Sequence, residues 1–182
     1  MVLGSSEEYL VKQAVNGDQT AFTQLYNANF DRIYRYIYTR VRSQAEAEDL
    51  TQDVFIKALE AIGNYKWRDL PFSAWLFKIA HNTVIDHVRK LSREKRADFD
   101  EAHLATVEDP VEMSEREFEV EQLKIALEKL PEAQREVATL RFIAQLSIAE
   151  TAKVLGKSEG TIKALQFNAT MSLRKVLGAM QE

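Results

Sequence analysis

Between Tyr65 and Arg96 the chain interleaves flat rings with cations: Tyr65, Trp67, Phe72, Trp75 and Phe77 are followed by Lys78, His81, His87, Arg89, Lys90, Arg93, Lys95 and Arg96. Aromatic faces stack on unpaired bases and cations neutralise phosphates, so this run carries the groups that an opened nucleic acid requires. Phe72 and Trp75 also fall on an apolar helical stripe and have a second reading as core. Tyr65 and Trp67 sit in a short loop and are the better candidates for contact.

A second set lies near the C-terminal end. Ser147-Ile148-Ala149-Glu150 has the spacing of a capping box opening a short helix, Gly156-Lys157 supplies a turn, and Ser158 caps the helix that follows. Ala149, Ala152, Leu155, Ile162 and Leu165 are small or aliphatic, which lets two helices cross closely. Thr161, Lys163, Ala164, Phe167 and Asn168 face the other way, where a recognition helix meets a major groove. Helix pairs joined by a glycine turn also serve purely as structure, so this motif alone leaves DNA binding open.

Bond-making chemistry is poorly supplied. His81, Asp86 and His87 are close in sequence, but spacings of five and six do not converge on one helix face as metal-binding histidines at i and i+4 do. His103 stands alone among acids, and the chain has no cysteine, which excludes disulfides and thiolate metal sites and fits a reducing compartment without proving it. No catalytic residue, metal or cofactor is expected. The first residues lack a basic segment followed by an apolar one, and no stretch of about 18 uncharged apolar residues occurs, so the expected location is the cytoplasm.

The elements that must position these groups are helices. Apolar residues recur at helical spacing from Glu7 to Val15 and from Thr20 to Val41, with Asn16-Gly17-Asp18 as turn and cap. Ser43-Gln44-Ala45-Glu46 matches a capping box for a third helix reaching Ile62, and a fourth runs from Phe72 to about Arg96. Phe118 to Leu130 and Pro131 to Ile143 make two more, Pro131 suiting a first turn. No strand pattern competes, so the fold class expected is all-α.

Charge divides this all-α chain into parts. The net charge is −4, yet residues 1–96 carry 14 Lys and Arg against 12 Asp and Glu, residues 97–122 carry 1 against 10, and residues 123–182 carry 9 against 6. The acid is concentrated in the middle. Two small, mildly basic helical domains, 1–96 and 123–182, are therefore expected on either side of an acidic linker, 97–122.

Taken in order, these segments resemble a family. Asp49-Leu50-Thr51-Gln52-Asp53-Val54-Phe55-Ile56-Lys57-Ala58, then Phe72-Ser73-Ala74-Trp75-Leu76-Phe77-Lys78-Ile79-Ala80-His81-Asn82, then Leu130-Pro131 and finally Leu146 to Leu165 are similar to successive hallmarks of the extracytoplasmic-function sigma factors of bacterial RNA polymerase. The resemblance runs from Glu8 to Leu177 and implies a region 2 bundle, a region 4 helix-turn-helix and no catalysis. It implies that Asp49, Leu50, Gln52, Asp53 and Phe55 dock on core RNA polymerase. Asn82, with the loop 64–70 that holds Tyr65 and Trp67, matches the part that captures a flipped base of the minus-10 promoter element. His87, Arg89 and Lys90 match a flank lying along promoter DNA, and Thr161, Lys163, Ala164, Phe167 and Asn168 match the minus-35 recognition helix. An anti-sigma factor is the further partner implied.

The match has gaps. Relatives commonly carry arginine near Leu165 and Asn168 and a basic residue near Thr170, and this chain has none there. Gln166 and Asn168 remain as groups able to address adenine edges, or to be merely solvated. Two rival readings are a dimeric repressor, which leaves the Asp49 to Phe55 and Asn82 matches unexplained, and a sigma mimic that binds an anti-sigma factor but no DNA. Against the mimic stands the intact basic run after Asp86.

Overall fold

The computed structural model describes residues 3–41, 43–66, 71–97 and 115–180, and all of its described regular structure is helical. Trp67 and residues 98–114 of the acidic linker lie outside the described residues. Helix α1 spans Leu3–Val15, α2 Gln19–Tyr38, α3 Gln44–Ala61 and α4 Phe72–Ala97; α5 spans Glu115–Glu128, α6 Glu132–Ala138, α7 Ile148–Leu155 and α8 Glu159–Met180.

Side-chain caps fix most starts. Asp18 Oδ1 accepts hydrogen bonds from the backbone N–H of Thr20 and Ala21 at 2.8 and 3.1 Å, opening α2. Ser43 with Glu46, and Ser147 with Glu150, form complete capping boxes at α3 and α7, as the spacing of those residues predicts. Gly156 closes α7 in the left-handed conformation, φ 63°, which its lack of a Cβ permits at little cost. Helix α2 ends at Tyr38, three residues before the expected Val41, and α5 begins at Glu115, inside the segment expected as linker.

One local feature has no counterpart in the sequence reading. After α6 the chain does not continue as an α-helix; Thr139–Ile143 form a π turn, with the Ala144 N–H donating to the Thr139 carbonyl at 3.0 Å. Gln145 then adopts φ 58°, a left-handed conformation uncommon for a residue with a side chain.

Leu25, Ile33, Ile37, Val54, Leu76 and Phe77 lie in the core that α1–α4 enclose. Leu127, Leu130, Ala138 and Ala169 make a second cluster, and Val137, Ala152 and Ile162 a third, between α5, α6, α7 and α8. Leu140, Ala144, Leu146 and Val154 do not join these; they pack into the core of the first bundle. Burying one such aliphatic side chain fully is worth roughly 1.5–3 kcal/mol, so the two units are held together by core-like packing.

Candidate nucleic-acid interface

Helix α3 presents Asp49, Gln52 and Asp53 to solvent, and spacings of three and four place them on one face. Leu50 and Phe55, assigned by resemblance to the same docking set, point inward: they are 7% and 6% exposed, and the Phe55 ring lies 4.4 Å from Tyr26 between centroids. Their part is to seat α3 on the bundle, because an apolar side chain facing α2 gains more from burial than from water. The exposed apolar groups beside the acids are instead Ile56 and Leu59, each 54% exposed. Ile56 follows Asp53 by three residues, a spacing that could have marked it.

Tyr65 departs in the same way from its reading as an open loop ring. It is 8% exposed, with its ring 5.0 Å from Trp75 and 6.0 Å from Phe72, so these three rings form a packed cluster. Burial, with a smaller contribution from the negative charge of Glu7, pushes its hydroxyl up to about 12. Phe72 is likewise core and Trp75 half-buried.

On α4, Asn82, Arg89 and Lys90 are exposed, whereas His81 and His87 are half-buried and engaged. His81 Nδ1 lies 3.2 Å from the Tyr36 hydroxyl and its Nε2 lies 3.7 Å from Glu136. Burial, then the charge of Arg40, holds its pKa below the ordinary imidazole value, against an opposing pull from Glu132. His87 Nε2 is 3.5 Å from Glu46. Lys57 Nζ donates to Thr83 Oγ1 at 3.1 Å, joining α3 to α4 next to Asn82.

The helix-turn-helix forms as its residues require. Ser158 Oγ accepts from the Thr161 N–H at 3.1 Å and shares a hydrogen bond of 2.9 Å with the Thr161 hydroxyl. Ile162 and Ala169 are fully buried, which turns Thr161, Lys163, Ala164, Phe167 and Asn168 outward; Phe167 is 67% exposed. Gln166 is not free, because Arg141 Nε donates to its Oε1 at 2.6 Å.

The site is thus three exposed patches on two units: acids with Ile56 on α3, Asn82 with Arg89 and Lys90 on α4, and the outer face of α8. Together they offer a protein-docking edge and two nucleic-acid-facing helices, and no described group is set up to make or break a bond.

Comparison with known proteins agrees with this division. The family model described as Sigma-70 region 2 matches residues 25–94, and that described as Sigma-70, region 4 matches residues 126–175. The chain is 40% identical over 173 residues to the ECF RNA polymerase sigma factor BldN of Streptomyces coelicolor, covering 92% of this chain but 64% of BldN. It is 32% identical over 180 residues to the ECF RNA polymerase sigma factor SigW of Bacillus subtilis, covering 92% of this chain and 94% of SigW. Among solved structures it is similar to CnrH in complex with the cytosolic domain of CnrY, with a TM-score of 0.76, 26% identity and coverage of 96% and 98% of the two chains. It is also similar to the sigma factor RpoE in complex with the anti-sigma factor NepR, from Bartonella quintana, with a TM-score of 0.72, 25% identity and coverage of 86% and 96%.

Proposed function

Because the chain belongs to the extracytoplasmic-function sigma factors of RNA polymerase, we propose that it binds core polymerase through α3 and directs initiation at promoters read by α4 and α8. The family consists of initiation factors, so the chemistry is exchange of contacts rather than catalysis. The observation that carries the residue assignment is the outward face of α8. Five side chains stand exposed above Ile162 and Ala169 at the end of a correctly capped helix-turn-helix.

Asp49, Gln52 and Asp53 supply the acidic edge for polymerase, with Ile56 as the apolar contact beside it. Asn82 reads an unstacked base, and Arg89 and Lys90 neutralise phosphates along the same helix. Trp67 keeps its proposed stacking role on sequence grounds alone. A cytoplasmic location follows from the reading, and no described helix is long and apolar enough to cross a membrane. CnrH and RpoE were each captured with a protein bound, which supports an anti-sigma partner for this chain.

The test is reconstitution: purified chain added to core RNA polymerase should start transcripts at a defined position on its promoter. Core enzyme alone should not. Transcription that starts without regard to template sequence would remove the assignment.

A further inference from the structure

The surface joining the two units contains polar contacts that none of the proposed functions uses. Arg32, on α2 with its guanidinium 5.4 Å from the centre of the Phe77 ring, donates from Nε and Nη2 to the Ala144 carbonyl at 3.2 and 2.8 Å. That carbonyl stands at the end of the π turn, next to left-handed Gln145. Ser73, in the first turn of α4, donates from Oγ to Glu150 Oε1 at 2.9 Å. Arg40, whose side chain is 4% exposed, pairs with Glu132 at 2.6 Å, and Lys124 Nζ lies 3.9 Å from the centre of the Tyr38 ring.

Every one of these contacts crosses from one unit to the other. Yet the residues assigned to polymerase and DNA are left uncovered: Asp49, Gln52 and Asp53 on α3, Asn82 on α4, and Lys163 and Asn168 on α8 all remain exposed. Contact between the units therefore acts on distance and not on access. Two touching globular units of these sizes have centres about 30 Å apart. Elements named minus-10 and minus-35 lie about 25 base pairs apart, about 85 Å along B-form DNA at about 3.4 Å per pair.

Resting on the sigma-factor reading, we propose that this seam is an autoinhibitory latch. Arg32 and Ser73 on the first unit hold the Ala144 carbonyl and Glu150 of the second, and the latch must open before both promoter elements are engaged. The seam is suited to opening. Much of its polar contact rests on charged groups, and Arg40 Nη1 and Arg135 Nε are buried without a hydrogen-bond partner among the described residues, which costs the closed state free energy. Core polymerase, by binding only the separated units, shifts the population toward the open form.

The absence of cysteine makes the test direct. Gln24→Cys and Lys175→Cys, both at exposed positions, carry spin labels on α2 and α8 for distance measurement by pulsed electron spin resonance. The unmodified seam should give one short distance. Arg32→Met with Ser73→Ala, which keeps the packing over Phe77 but removes the donors, should give a longer, broad distribution and bind core polymerase about tenfold more tightly, since affinity is reduced by the fraction held closed. Ser73→Ala alone, remote from the Phe77 contact, should shift both readouts in the same direction by less. A distance unchanged in both variants, or core affinity unchanged despite opening, overturns the latch. If the distance lengthens while neither protein binds core at all, the latch stands and the polymerase-docking assignment fails.

Discussion

Arg141 holds Gln166 in place: its Nε donates to Gln166 Oε1 at 2.6 Å, and the same guanidinium donates to the Leu146 carbonyl. One arginine thereby ties the recognition helix to the segment before α7. Of the two amides on this part of α8, only Asn168 faces outward without such a tether.

Asn168 should consequently carry the base reading. Asn168→Ala is expected to lower binding to the native promoter and to relax preference at one base pair, by about 1–3 kcal/mol. Gln166→Ala should leave sequence preference unchanged and lower thermal stability instead. Competition binding with single-base promoter variants distinguishes the two.

Lys163 is the one lysine or arginine between Glu159 and Met171. Lys163→Ala should reduce the slope of log affinity against log salt by about 0.9, the release of one counterion, while leaving discrimination between promoters intact. Titrations at several salt concentrations measure it.

Asp53 is exposed on α3, with no core side chain to disturb. Asp53→Arg should therefore melt within about 0.5 kcal/mol of the parent yet lose core-polymerase binding in a pull-down. Retained binding would move the docking surface off this helix.

Asn82→Ala should leave core binding and duplex binding nearly intact and slow open-complex formation, followed by permanganate reactivity of unpaired thymines. An isolated base opens against about 1.4 kcal/mol of stacking per step, which a reader on α4 must offset. A premelted bubble should restore the rate only in part, because the base contact is still missing.

Glu150 has a pKa below the ordinary carboxylate value. Burial would raise it, but hydrogen bonds from the backbone and side chain of Ser147 and from Ser73, with the charge of Arg32, outweigh burial. A lowered folded-state pKa gives stability that is present above the unfolded value of 4.5 and is lost as pH falls below it. Glu7 and Glu136, raised chiefly by burial, act with the opposite sign. The comparison must therefore be between proteins: Glu150→Gln, which can still cap α7, should flatten the loss of stability between about pH 5 and pH 3. Chemical denaturation across that range reads it.

Helix starts were legible because they depend on neighbours in sequence: Ser43 with Glu46, Ser147 with Glu150, and Gly156 at its turn are each local rules. The outward face of α8 was legible for the same reason, since Ile162 and Ala169 set the phase. What could not be read depends on partners far along the chain. Tyr65 looks like a loop ring until Phe72 and Trp75 close over it, and Leu50 and Phe55 sit inside a motif whose apolar members serve the bundle. Arg32 is one of four arginines between Asp31 and Arg42, and nothing local marks it as the one that reaches Ala144, 112 residues away. The π turn is equally silent, because Thr139 to Ile143 keep an ordinary helical composition.

That turn sets a tolerance on how the molecule can be rebuilt. A π turn spends one more residue than an α turn, so deleting Phe142 would let α6 continue with ordinary winding. Each residue of an α-helix advances by about 100°, and everything after the turn would be rotated by about that angle relative to the first bundle. Ala144 would leave Arg32 and Glu150 would leave Ser73, while the helix-turn-helix itself, capped from within, would still fold. Chimeras that exchange the C-terminal unit between relatives are then sensitive to residue count at this junction. A graft spliced one residue short would keep its DNA-reading surface and lose its alignment with the rest of the chain.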